Sequence, residues 1–189
     1  MAPKRQQIMD LIAARMELIR TGTTEAGVYT SELEPGALTL PGTDGAYTEG
    51  GAATYYSDLG LNVITSRPQL VLPDGSVGRV PVEPSECPCI MIRDPVDTIS
   101  RMDMKGNEKH VLDIEIEIRH EGGAITDSDL RKMEQDVRTA IGLDPTWGGI
   151  GKDMVINSGE KILLQADKII GGLLIRGNVT FYTSAWSET

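Results

Sequence analysis

The sequence predicts an α+β protein of two layers. A mixed, mostly antiparallel β-sheet carries two main helices packed on one face, and a β-rich arm is inserted after the first helix. Three observations predict this. Apolar residues recur at three- and four-residue spacing near the N-terminus and again over residues 130–141. Apolar and acidic residues alternate strictly through "HVLDIEIEIRH", residues 110–120. Between these patterned zones, residues 34–86 are rich in Gly and Pro and hold six of the chain's 10 prolines, with no helical period. The whole reads as one domain, residues 1–189, with 34–86 as an insertion or extended arm within it.

The first helix begins near Pro3, which can occupy a first turn because its missing N–H has no partner there. Ile8, Leu11, Ile12, Arg15 or Met16, and Ile19 then repeat on one side, and Thr21-Gly22 is the expected stop. "AGVYTSEL" follows as a short β-leaning stretch. Within the insertion, "LNVITS" and "QLVLPDGSVGRVPV" are expected to pair as a hairpin, since Pro73-Asp74-Gly75 has turn chemistry. A connection of this length inside a domain is a functional arm or a surface excursion.

"CIMIRD" reads as a short apolar strand and "HVLDIEIEIRH" as a half-buried one. "GGAITDSDLRKMEQDVRTAIG" reads as a helix. Thr126 or Ser128 would cap it, Asp127 and Asp129 stand near its positive end, and Gly142 would be the C-terminal cap. Its inward stripe is Leu130, Met133, Val137, Ala140 and Ile141. After the turn "DPTWGG", three stretches ("DMVINS", "EKILLQ" and "GGLLIRGNVTFYTS") supply the remaining strands.

Aromatic residues make up only 4% of the chain, with a single Phe, so the core is built from Ile, Leu, Val and Met. With 18 basic and 28 acidic residues the net charge is −10, and no basic stripe marks a free-standing DNA-binding module. An acidic surface would instead keep nearby DNA from sticking. No run is long and apolar enough for a membrane span. Asp10, Arg15 and Glu17 interrupt any signal-peptide core, so the protein is expected to be made in the cytosol. Cys87 and Cys89, in "CPC", are too close along an extended chain to bond to each other. With only two His in the chain, a metal site lacks further ligands, so they read as reduced, packed thiols.

Asp113, Glu115 and Glu117 raise the question of catalysis. On a strand they share one face, about 7 Å apart, opposite Leu112, Ile114, Ile116 and Ile118. Metal-dependent nucleases gather carboxylates on strands, but they converge them from several elements. Here the acids are collinear, and His110 and His120 flank the row as rim residues. The row therefore reads as a solvated, assembly-lining or channel-lining face, with Lys109 and Arg119 partly offsetting its charge. No P-loop is present, "GTDGAYTEGGAA" is a weak phosphate cradle, and Ser158-Gly159 lacks the upstream glycine of a nucleophile elbow. No catalytic, cofactor-binding or metal-binding residue is assigned. Trp147, with Tyr47, Tyr55 and Tyr56, supplies candidate interface contacts; without such a role, Trp147 is a packing anchor.

"PKRQQIMDLIAARMELI", "GVYTSEL", "DLRKMEQDVRTAIGLDPTWGG" and "IRGNVTFYTS", in this order, together resemble the bacteriophage tail terminator, or minor tail protein U, family. The resemblance covers residues 3–33 and 87–184, and the long connection at 34–86 departs from it. It implies a small α/β domain that assembles as a homo-oligomer, a hexameric ring, on the completed tail tube. It implies further that the ring stops elongation and offers the attachment surface for the head connector or stopper protein. Its implied partners are the tail tube protein and that connector. By the same resemblance, DNA would pass through the lumen without sequence-specific binding, no membrane would be involved, and the protein, built in the host cytoplasm, would end in the virion. Two alternatives stay open: another head–tail joining protein of the neck, a stopper or adaptor, and a carboxylate-dependent hydrolase.

Overall fold

The strand that alternates in the sequence is the spine of the molecule. The structure is a computed structural model that describes residues 3–21, 24–26, 52–65, 69–71, 77–79, 86–102, 106–121, 127–152, 154–165 and 169–184. In it, β8 (Asn107–Glu121) runs antiparallel to β10 (Ile169–Ser184) along its whole length, from Ile170 opposite Glu121 to Ser184 opposite Asn107. β9 (Val155–Gln165) continues the sheet beyond β10. On the other flank β8 meets β6 (Cys89–Arg93) and then β7 (Asp97–Arg101), both antiparallel. The two-residue β3 (Val63–Ile64) lies parallel to β6. The result is a six-stranded mixed sheet in the order β3-β6-β8-β10-β9, with β7 extending the β6 edge.

Side-chain parity decides what each face does. Leu112, Ile114, Ile116 and Ile118 of β8 are all 0% exposed, and Leu173, Ile175, Val179 and Phe181 of β10 join them on the same side. Both helices cover this face: α1 (Lys4–Met16) through Ile8, Met9, Ile12, Ala13 and Met16, and α2 (Asp127–Leu143) through Leu130, Met133, Val137, Ala140, Ile141 and Leu143. This is the α+β arrangement expected from the sequence. β8 and β10, at about 3.3 Å per residue, span about 50 Å, whereas the helices at about 1.5 Å per residue reach only 20–26 Å. The sheet therefore outruns its helical layer.

Several local expectations need correction. α1 stops at Met16, well before Thr21, because Gly60 packs directly on the Met16 and Glu17 carbonyls and its N–H takes the Ile19 carbonyl at 2.8 Å. Ile19 is still buried, but from a non-helical turn. Gly142 lies inside α2, one residue before its end, rather than at a C-terminal cap. "DMVINS" and "EKILLQ" contribute to one continuous strand, β9, with Ser158-Gly159 in its middle. β7 was not anticipated.

The insertion is not a separate arm throughout. Ala52–Thr54 (β2) pairs with Thr24–Ala26 (β1). The stretch after it enters the core: Tyr55 is 1% exposed, and Leu59, 0% exposed, opens a 3-10 turn at Leu59–Leu61. "LNVITS" does not join the hairpin. Its Val63 and Ile64 pair with β6, while β4 (Gln69–Val71) and β5 (Val77–Arg79) form the hairpin around the turn residues, which lie outside the described residues. Residues 27–51 also lie outside them.

Candidate functional site

The face of the sheet turned away from the helices carries the acidic row. Asp113, Glu115 and Glu117 are all half-buried there, on a strand fixed by its neighbours on both sides. Glu115 and Glu117 do not stand as bare carboxylates. Arg93 of β6 donates from Nη2 to Glu117, and Arg119 of β8 donates to the same carboxylate from Nε and Nη2 at 2.7 Å. Arg176, across on β10, donates to Glu115 at 3.2 Å and stands 3.6 Å from Glu160 of β9. The row is thus part of an alternating ion ladder crossing four strands. Cross-strand pairs of opposite charge relieve the repulsion that a bare row would suffer. Lys109, expected to offset these acids, does not pair with them; Arg93 and Arg176 do so with Arg119.

Chemically, the ladder is a poor metal or acid–base centre. The oxygens that would bind a cation already accept hydrogen bonds from guanidinium groups, and the described residues include no cluster of three His, Cys, Asp or Glu able to hold a metal. The cysteines are both free thiols. Burial, followed by the neighbouring Cys87, pushes the Cys89 thiol up to about 11, so it stays protonated and unreactive at neutral pH.

His110 is not the rim residue the sequence suggests. It is 2% exposed, and its ring stacks on Phe181 with centroids 4.6 Å apart. Nδ1 lies 2.9 Å from Asp97 Oδ2 and Nε2 lies 3.0 Å from Thr183 Oγ1. An acid, an imidazole and a hydroxyl in line resemble a relay, but Thr183 is only 5% exposed and its hydroxyl is engaged by the ring nitrogen rather than open to a substrate. The arrangement ties the start of β7 to β8 and β10.

The candidate aromatic contacts divide. Tyr56 is 61% exposed and remains available, whereas Tyr55 and Trp147, at 1% each, are core residues and not surface contacts. Tyr47 lies outside the described residues. Trp147 has φ of 54° and is followed by Gly148 at 66° and Gly149 at 78°, a left-handed run that swings the indole inward. Asp144 holds this loop, accepting from Thr146 Oγ1 at 3.1 Å and from the Gly148 N–H at 2.9 Å.

Sequence reasoning missed Asp136. It sits on the inward stripe of α2 and is 1% exposed. Its carboxylate accepts the Tyr56 N–H at 3.0 and 3.1 Å and the Ser57 hydroxyl at 2.5 Å. Burial, only partly countered by these bonds, raises its pKa from the ordinary carboxylate value. Its spacing from Met133 and Ala140 places it on the apolar side, and that misplaced charge was the available clue.

The far end of the polar face differs from the ladder. Lys109 stands opposite Tyr182 in register, and Lys152 Nζ lies 5.3 Å above the Tyr182 ring. Lys4 Nζ donates to the Tyr182 carbonyl at 2.7 Å. At the opposite end of α1, a cleft of about 300 Å³ is lined by Glu17, Arg20, Leu61, Val63, Ile64 and Glu86 among others. No protein-family model matches the chain, and comparison with curated proteins yields no match. No helix among the described residues is long and apolar enough to cross a membrane.

Proposed function

We propose that the chain is a structural protein of a bacteriophage virion, a tail terminator that caps the tail tube as a ring, stops its elongation and offers the head connector its attachment surface. The observation that carries this reading is the arrangement of three of the four segments on which the resemblance rests; the fourth, "GVYTSEL", lies outside the described residues. "PKRQQIMDLIAARM" forms α1, "DLRKMEQDVRTAIGL" forms most of α2, "DPTWGG" forms the left-handed loop, and "IRGNVTFYTS" forms the end of β10. They lie in one two-layer unit whose helices cover a single face of the sheet. The other face carries charge arranged in mutual pairs, which suits contact with neighbours and with passing DNA better than it suits bond breaking. A head-to-tail contact between such units closes into a ring when the rotation per subunit fits.

Electron microscopy of the purified protein, alone and with isolated tail tubes, tests the reading. Rings of uniform diameter seated on one tube end are expected. In a phage lacking the protein, tubes should run past their normal length and accept no heads. Tails of normal length joined to heads in its absence would overturn the proposal.

A further inference from the structure

The polar sheet face is charged in two different ways. Arg93, Arg119 and Arg176 are spent on Glu117, Glu115 and Glu160, and elsewhere Arg5, Arg131, Arg138 and Lys161 also meet carboxylates. Lys109 and Lys152 do not: among the described residues, no carboxylate forms an ion pair with either, while Lys109 stands opposite Tyr182 in register and the Lys152 ammonium lies over the Tyr182 ring. Asp113, the nearest acid of the same face on β8, lies four residues and about 13 Å along the strand from Lys109. Glu108 pairs in register with Arg101 and faces the helix side. This cationic spot stands out on a chain of net charge −10.

Met102, 57% exposed, lies close to it: its N–H donates to the carbonyl of Asn107, two residues from Lys109 where β8 begins. The other end of α1, about 20 Å away, has the converse character. Glu17 and Glu86 line the cleft there, beside Leu61 at 58% and Leu18 at 41% exposure, and Arg20 turns its Nε onto the Glu17 carbonyl. The helix C-terminus adds partial negative charge from its last carbonyls.

We propose that the Lys109–Lys152–Tyr182 end of one copy docks on the Glu17 end of a second copy. The two surfaces differ, so the contact is head-to-tail and propagates around a ring. Copies that carry excess negative charge repel one another, and their contact needs cations brought locally against carboxylates. Lys109 and Lys152 supply them without first breaking an internal ion pair. The inference rests on the ring reading above and adds to it which surfaces meet.

The test uses the full chain with two charge reversals, Lys109→Glu with Lys152→Glu in one variant and Glu17→Lys in another. Circular dichroism and melting first establish that both fold. Sedimentation of the unaltered chain should show assemblies that weaken as salt rises. Each variant alone should assemble about tenfold or more weakly, since like charges then meet. An equal mixture of the two should recover assembly, because every contact in an alternating ring is either the original or the swapped pair. Lys109→Gln with Lys152→Gln should give an intermediate loss. Unchanged assembly of either single variant, or no recovery in the mixture, overturns the proposal. So does a lysine variant that assembles normally but has lost retention on DNA, which would make the patch a phosphate contact. An unaltered chain that assembles neither in solution nor on tubes overturns the ring reading itself.

Discussion

Ser57 donates its hydroxyl to Asp136 at 2.5 Å, joining a loop within the insertion to the buried side of α2. The same carboxylate takes the Tyr56 N–H, so one acid fixes the turn that delivers Tyr55 and Leu59 into the core. Asp136→Ala strands a buried backbone donor and is expected to cost about 2–3 kcal/mol in denaturant unfolding. The pH dependence has a definite sign. Because burial raises this group in the folded state, the unfolded chain ionises first as pH rises from about 3.9, and stability falls until the folded carboxyl ionises too. Asp136→Asn keeps an acceptor for Tyr56 and should lack that fall. Parallel stability curves for the two proteins between acid and neutral pH would contradict this.

Glu134, two residues earlier, behaves oppositely. Burial raises it, but hydrogen bonds from Lys161 and Arg138 outweigh burial and hold it below the usual range. Lys161 Nζ and Arg138 Nη2 each stand 2.9 Å from it. Its contribution is present above the unfolded value of about 4.3 and is lost as pH falls through the lower folded value. Glu134→Gln should cost about 1 kcal/mol at pH 7, since the partners are partly exposed, and the gap should close in acid. Chemical unfolding at pH 7 and near pH 3 measures it.

How far the sequence disclosed the fold can be argued from these residues. β8 and the α2 stripe were legible because period two and period 3.6 each bury one set of residues completely. Asp136 was not, because its role depends on Tyr56 and Ser57, which are about 80 positions away in sequence. His110 was misread for a similar reason. It shares the apolar parity of β8, but only β7, which has no alternation to announce it, supplies Asp97. The acids at 113–117 share one face as their alternation implies, yet the pairing of Glu117 with Arg93 and of Glu115 with Arg176 comes from register, which a single strand cannot reveal.

The glycines near the end of α2 make opposite predictions. Gly142 is helical, and a Cβ there meets nothing within 4 Å. Gly142→Ala should therefore stabilise the protein by about 0.5–1 kcal/mol through helix propensity and a less free unfolded chain. Gly149 also has open space, but its φ is 78°. Gly149→Ala should cost about 1–2 kcal/mol for the left-handed backbone alone. Thermal melts of the two variants should move in opposite directions.

The ion ladder separates a structural face from a catalytic one. Calorimetric titration with Mg²⁺ or Mn²⁺ should give no saturable binding, because Glu115 and Glu117 are already satisfied by Arg176, Arg93 and Arg119. Removing Arg93 leaves Glu117 half-buried with less compensation, so Arg93→Met should destabilise by about 1–3 kcal/mol. Adding Glu117→Gln to that variant should recover part of the loss. A micromolar divalent-ion site abolished by Asp113→Asn would instead favour the hydrolase alternative.

Tyr55 and Leu59 set the limits for trimming the insertion. A deletion of residues 38–82 removes both from the core, along with β3, which completes the sheet edge. Losing two fully buried side chains of this size costs several kcal/mol, comparable with a domain's entire stability. That deletion should yield insoluble or unfolded protein. Replacing only residues 66–85, which include the β4–β5 hairpin, with a flexible Gly/Ser linker of about ten residues spares Tyr55, Leu59 and the Asn62 bond to the Glu86 carbonyl at 3.0 Å. The shorter deletion should fold with a melting temperature close to that of the full chain. If the hairpin is a docking arm, rings of this variant should still form on tail tubes but fail to join heads in an in vitro assembly assay. Full infectivity of reconstituted particles would make the hairpin a decoration.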